Sequence, residues 1–153
     1  MRLFQALIIA VGLCIPTVGF TPQPVLPAAR IKATQDDILC LAKNIYHEAR
    51  SETLLGQLAV AQVTVNRALH PRFRDTLCGV VYSPHQFSWT SKPKRVRDPK
   101  AWQQALDIAR GVVSGTLWIP GFTATHYHTT KVNPRWNRKL RQLAIIGQHI
   151  FYD

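Results

Sequence analysis

The stretch Leu41-Ala-Lys-Asn-Ile-Tyr-His-Glu-Ala-Arg-Ser-Glu52 decides how this chain is read, because it holds Glu48 and Glu52, the two glutamates of the sequence. Wound as a helix, Leu41, Ala42, Ile45 and Ala49 form an apolar stripe with Glu48 at its edge. A carboxyl placed there is half desolvated, with a second carboxylate one turn on. Both influences raise its pKa, and a glutamic acid that keeps its proton near neutral pH can act as a general acid. A surface helix carrying two solvated glutamates is the plain alternative.

Outward from that stretch, Thr34 or Asp36 can cap the helix, which is expected to run to about Glu52. Gly56 opens a second helix, Gln57 to Leu69, apolar nearly all round like a central buried helix. Gln62 and Asn66 are its polar exceptions, and buried amides need partners, so they brace a neighbouring helix or line a cleft. His70-Pro71 ends this helix. Phe73 to Val81 reads as a loop with a short apolar segment. Asp98-Pro99 reads as an N-cap with proline at the first helical position. Trp102, Ala105, Ala109 and Val112 give that third helix an inward face. Thr123 to Thr130 alternates and is rich in threonine, which predicts a strand. Asn133-Pro-Arg-Trp136 breaks it, and Leu140 to Tyr152 closes the domain as a short helix or strand. The whole predicts an α+β domain, mainly α, with small β elements.

The chain of 153 residues suits one domain with a real core. Met1-Arg2 followed by the apolar run Leu3 to Val18 reads as a secretory leader occupying residues 1–29. A cut is expected near Phe20 or within Leu26-Pro-Ala-Ala29. An uncleaved N-terminal anchor is the alternative, although the run is short for a span. Residues 30–153 then form the domain, expected in the periplasm or outside the cell. Its two cysteines, Cys40 and Cys78, can pair in an oxidising compartment or remain buried thiols.

Lys and Arg number 19 against 8 Asp and Glu. Nucleic acid is the first partner such a balance suggests. The cations are scattered, however, apart from Lys92-Pro-Lys-Arg-Val-Arg97 and Arg135 to Arg141, and an exported protein rarely meets nucleic acid. An anionic envelope polymer fits both charge and address, with no nucleic acid partner and a monomeric chain.

Three chemistries compete. His126 and His128 would share one strand face, a spacing zinc sites use, and His47-Glu48 begins like a zinc-protease motif. Ser51 stands where the second histidine belongs, so no metal and no cofactor are expected. The nucleophile elbow Gly-x-Ser-x-Gly is missing. Glycan cleavage remains. Most glycosidases flank the bond with two carboxylates about 5–10 Å apart. Asp75 and Asp98, the other possible partners, look like loop or cap residues. A lone glutamic acid suffices when the sugar supplies its own nucleophile, as the C6 hydroxyl of muramic acid can. Gln86-Phe-Ser-Trp-Thr90 mixes aromatic faces with hydrogen-bonding groups, as a sugar-binding wall does.

From about Leu39 to the C-terminus the chain resembles the SleB-type cell-wall hydrolases. The resemblance rests on Ile45-Tyr-His-Glu-Ala-Arg-Ser-Glu52 and Gly56-Gln-Leu-Ala-Val-Ala-Gln-Val-Thr-Val-Asn-Arg67. Thr76-Leu-Cys-Gly-Val-Val-Tyr82, Gln86-Phe-Ser88, Ala124-Thr-His-Tyr-His128, Pro134-x-Trp136 and Ile146-Gly-x-His-x-Phe-Tyr152 follow in order. It implies a lysozyme-like, lytic-transglycosylase-like single domain with Glu48 as the catalytic acid. It also implies cleavage of peptidoglycan glycan strands between N-acetylmuramic acid and N-acetylglucosamine, leaving a 1,6-anhydro end. Amidase activity, described for some members, is the rival, and a non-catalytic basic wall-binding module is the reading without chemistry. Ser51, where the family usually has glycine, and Leu55, where an acidic residue is common, depart from the pattern. On this reading Glu52, Gln86, Phe87, His126, Tyr127 and Trp136 are the residues expected to line the sugar groove.

Overall fold

The computed structural model describes residues 31–92 and 94–153. The expected leader and its cleavage sites lie outside the described residues. Among the described residues, no helix is long and apolar enough to cross a membrane.

Helix α1 (Gln35–Ala49) starts at Thr34, whose hydroxyl accepts the Asp37 amide while Asp37 returns a bond to the Thr34 amide. Those reciprocal bonds satisfy two of the donors that every helix start leaves free. The helix stops at Ala49 rather than at the expected Glu52. Thr53 is the reason: its hydroxyl accepts the Gly56 amide and begins helix α2 (Leu54–Leu69), so residues 50–53 must turn. Among the described residues, His85 is the one non-glycine at positive φ. Serine at position 51 therefore fits this turn without needing glycine's freedom.

Helix α2 is central. One side meets α1 and α5 (Pro99–Ser114) through Leu41, Ile45, Ala61, Val65, Ala105, Ile108, Ala109 and Val112. Asp98 caps α5 by accepting the Ala101 amide, with Pro99 at the first turn as expected. Gly115, at φ 78°, closes it in the left-handed conformation that glycine adopts without strain. The other side of α2 packs Ala59, Val60 and Val63 against Phe122, Ala124 and Phe151.

Phe73–Val81 is not wholly a loop. Thr76 caps a five-residue helix, α3 (Leu77–Val81), and a shorter turn, α4 (Ser88–Ser91), follows. Cys40 on α1 and Cys78 on α3 are joined as a disulfide. That bond closes a loop spanning all of α2, worth about 4 kcal/mol in the chain-entropy picture.

The C-terminal part is a three-stranded antiparallel sheet in the order β1-β3-β2, from β1 (His126–Thr129), β2 (Gln142–Ile146) and β3 (His149–Tyr152). The closing segment is thus a hairpin turning at Gly147-Gln148, with its second strand inserted between the other two. Gln62 and Asn66 do brace, but against a connection rather than a helix. Gln62 donates to the Ile119 and Phe122 carbonyls and accepts the Ile119 amide. Asn66 donates to the Phe122 and Ala124 carbonyls. Five bonds therefore tie the chain entering β1 to α2, which fixes the sheet relative to the end of α1.

Candidate active site

Glu48 lies on the last turn of α1, half-buried, where that helix meets the sheet. It opens into a cleft of about 220 Å³, lined also by Arg67, Gln86, Phe87, Tyr127, His128, Thr129, Val132 and His149. Among the described residues lining this cleft, Glu48 is the one carboxylic acid.

Three influences set its proton affinity. Burial pushes the Glu48 carboxyl above its ordinary range, and two neighbours oppose that rise. Tyr127 donates its phenolic proton to Glu48 Oε2 at 3.4 Å, and the Arg67 charge favours the ionised form. The net result is an acid that holds its proton to higher pH while keeping donors ready for the carboxylate left behind. The Tyr127 phenol itself, half-buried beside Glu48, is pushed well above its usual range by burial and by the Glu48 charge, and stays a donor.

Arg67 comes from α2 and is buried, which an arginine tolerates only when its donors are used. Its Nε donates to the Thr125 carbonyl at 2.6 Å and its NH1 group to Gln86 Oε1 at 3.0 Å. The guanidinium also lies over the rings of Phe73 and Phe87, at 5.6 and 5.8 Å from their centroids. In the sequence Arg67 stands out only as the lone charge of α2, and its partners lie far along the chain.

Glu52 is not in the cleft. With α1 ended at Ala49, its side chain, 6% exposed, turns to the β2–β3 corner. There Oε2 accepts the Gln148 amide at 3.2 Å and Oε1 sits 3.6 Å from His149 Nδ1. A Cβ at Gly147 would collide with the Glu52 carboxylate, and the backbone there has φ 58°. The corner is built around that carboxylate, so Glu52 holds the sheet rather than substrate. His149, the neighbour of Glu52, lines the cleft and meets the Tyr127 ring edge-on at 5.2 Å. Burial lowers the pKa of His149 while the nearby Glu52 charge raises it, the first prevailing. The place of His149 depends on the register of β3, which the local sequence does not specify.

Of the other expected groove residues, Gln86, Phe87 and Tyr127 line the cleft with Glu48. His126 and Trp136 do not. The His126 ring lies between Phe73 and Trp136, at 6.0 and 5.4 Å, and bonds to Thr125 Oγ1 at 2.9 Å. Trp136 packs on His128 and Tyr152 as well, forming an aromatic wall behind the cleft. His126 and His128 do not share a ligand arrangement: His128 Nε2 faces the Tyr152 hydroxyl at 3.0 Å. Among the described residues, no three His, Cys, Asp or Glu side chains gather as a metal would need. Asp75 lies elsewhere, and the Asp98 carboxylate is used in capping α5.

A helical body thus presents one sheltered glutamic acid to a cleft beside a small sheet. The chain belongs to the family described as Cell Wall Hydrolase, which matches residues 51–152. It is 34% identical over 136 residues to a spore cortex-lytic enzyme of Oceanobacillus iheyensis, covering 87% of this chain and 46% of that protein. A second such enzyme, from Bacillus subtilis, is 34% identical over 125 residues, covering 78% and 38% respectively. The chain thus spans less than half the length of these curated relatives. The catalytic domain of the germination-specific lytic transglycosylase SleB from Bacillus anthracis superposes with a TM-score of 0.64 at 30% identity, covering 80% of this chain and 98% of that domain. The corresponding Bacillus cereus domain gives 0.64 at 28% identity, over 86% and 100%. The mainly helical, lysozyme-like fold is that of these domains.

Proposed function

We propose that this chain cleaves the bond between N-acetylmuramic acid and N-acetylglucosamine in peptidoglycan by lytic transglycosylation. One observation carries the reading: the cleft presents a single half-buried acid, while the second glutamate of the motif is engaged at the β2–β3 corner. Without a paired carboxylate, the two-carboxylate routes lose their second group. A mechanism needing one acid fits.

Glu48 donates its proton to the glycosidic oxygen as the bond to the muramic C1 breaks. The departing sugar takes that proton and leaves as an alcohol. The resulting Glu48 carboxylate then accepts the proton of the muramic C6 hydroxyl, whose oxygen bonds to C1 and closes the 1,6-anhydro ring. Glu48 ends protonated, so no water and no added base enter the balance. Tyr127 and Arg67 stabilise the carboxylate between the two transfers, the interval in which negative charge sits on Glu48. Gln86 and Phe87 offer a polar group and an aromatic face to the sugar.

The same reading includes an exported, monomeric protein acting at an anionic envelope, with residues 1–29 as leader or anchor. The disulfide supports an oxidising compartment. Mass spectrometry of muropeptides from digested sacculi tests the reaction. Anhydro-muramyl ends are the expected product. Reducing ends would mean hydrolysis, and freed stem peptides with intact glycan would mean an amidase.

A further inference from the structure

The basic run Lys92 to Arg97 has no role in the cleft. It borders a second hollow, of about 670 Å³, walled by Tyr46, His47, Arg50, Lys94, Arg95 and Arg97, with Asp98 at its rim. Its frame is built. The Tyr46 hydroxyl accepts the amides of Arg97 and Asp98 at 3.0 and 3.1 Å, tying the basic segment to α1. The Arg50 guanidinium donates to the Tyr46 carbonyl at 3.2 Å and lies over its ring, 5.1 Å from the centroid. Among the described residues, Arg50, Lys94, Arg95 and Arg97 form no ion pair with a carboxylate, and the Asp98 carboxylate is turned to the Ala101 amide. Burial lowers the His47 pKa, and the charges of Arg50, Lys94 and Lys43 lower it further, as expected for a hollow with excess positive charge.

Its position supplies the second observation. His47 and Glu48 are consecutive on α1, so their side chains leave the helix about 100° apart, one into each opening. The 87–89 segment touches both sides: Phe87 lines the cleft, and Trp89 stacks on His47 with centroids 4.6 Å apart. A glycan held over Glu48 therefore lies beside an opening that carries these cations.

We infer that this hollow is a subsite for the carboxylates of the stem peptide borne by the muramic acid over Glu48. It rests on the proposed glycan reading for the placement of that sugar, and it adds a preference for peptide-bearing over bare strands. An unattached phosphate polymer would gain nothing from adjacency to the acid, which is why the tethered carboxylate is favoured.

The test is a binding measurement, so it does not depend on turnover. Full-length chain carrying Glu48→Gln is titrated calorimetrically with a muramyl-peptide tetrasaccharide, either with free stem carboxylates or with those carboxylates amidated. The free form is expected to bind roughly tenfold tighter, the scale of a few exposed charge pairs. Adding Lys94→Gln, Arg95→Gln and Arg97→Gln, all exposed positions, should abolish the difference and leave affinity for the amidated form unchanged. Arg138→Gln with Lys139→Gln, on the sheet side, should preserve it. Equal binding of the two forms, or discrimination surviving the triple change, overturns the subsite. So does a glycerol-phosphate oligomer that displaces the free-carboxylate ligand at lower concentration than the stem peptide itself. If the wild-type chain cuts no glycan yet discriminates carboxylates through these cations, the subsite stands and the cleavage reading falls.

Discussion

Removing the disulfide is the perturbation whose size follows most directly from the structure. Cys40 and Cys78 lie 38 residues apart, so Cys40→Ala with Cys78→Ala releases a loop containing all of α2. Chain entropy restored to the unfolded state amounts to about 4 kcal/mol for a loop of that length. Spread over the residues from 31 to 153, with ~2.1 cal/mol/K of unfolding entropy per residue, that lowers Tm by roughly 15 °C. The folded geometry should nevertheless survive. The Cys78 amide is separately held by Asp37 Oδ1 at 2.9 Å, and Val81, Phe87 and Trp89 still pack around position 40. Activity at 25 °C should therefore stay within about twofold while thermal stability collapses, a split that chain-entropy loss produces and site damage does not. Circular dichroism melts of wild type and variant, each with and without a reductant and with thiols counted, give the answer. Reductant should move the wild type to the variant's Tm and leave the variant where it is. A fully reduced wild type melting within about 3 °C of the oxidised protein would refute the reasoning.

Three further expectations follow from the site and its supports. Tyr127→Phe removes the proton donor to Glu48 and so lets the Glu48 pKa rise further. The alkaline limb of the pH–rate profile should move to higher pH, with kcat/KM down about threefold to tenfold; an unmoved limb counts against the contact. Gln62→Leu leaves the Ile119 amide without a partner, while the Ile119 and Phe122 carbonyls keep the Phe122 amide and Asn66, and it should cost about 2–3 kcal/mol by denaturant titration. A loss below about 1 kcal/mol would mean that the connection into β1 is held by something else. Glu48→Gln should also change stability with a definite sign. Because burial raises the folded pKa of Glu48, its contribution is fully present below the ordinary value of 4.5 and is lost as pH rises through the raised one. The variant should thus gain on wild type in Tm on going from pH 3 to pH 8, and a falling difference would contradict the burial.

Much of this was legible in the sequence where the determinants are local. The capping chemistry of Thr34 and of Asp98-Pro99, the inward face of α5 and the desolvated place of Glu48 all follow from residues within a turn or two. The amides of Gln62 and Asn66 announced bracing, although the thing braced lies more than fifty residues on. The end of α1 is not legible locally because Thr53 competes as the cap of α2, and that competition decides where Glu52 points. His149 and the aromatic wall of Trp136 were less legible still, since they depend on β3 entering between β1 and β2. Arg67 was visible as a cation in a buried helix, but its partners Gln86 and Thr125 come from two distant loops.

The most direct measurement is the turnover of purified peptidoglycan by wild type and by Glu48→Gln, with folding of the variant verified by its melt. The amide keeps the shape and removes the transferable proton. A loss in kcat/KM of about a thousandfold, with anhydro-muramyl ends vanishing from the products, is the expected result. Turnover by the variant within tenfold of wild type would contradict the assignment of the reacting proton to Glu48.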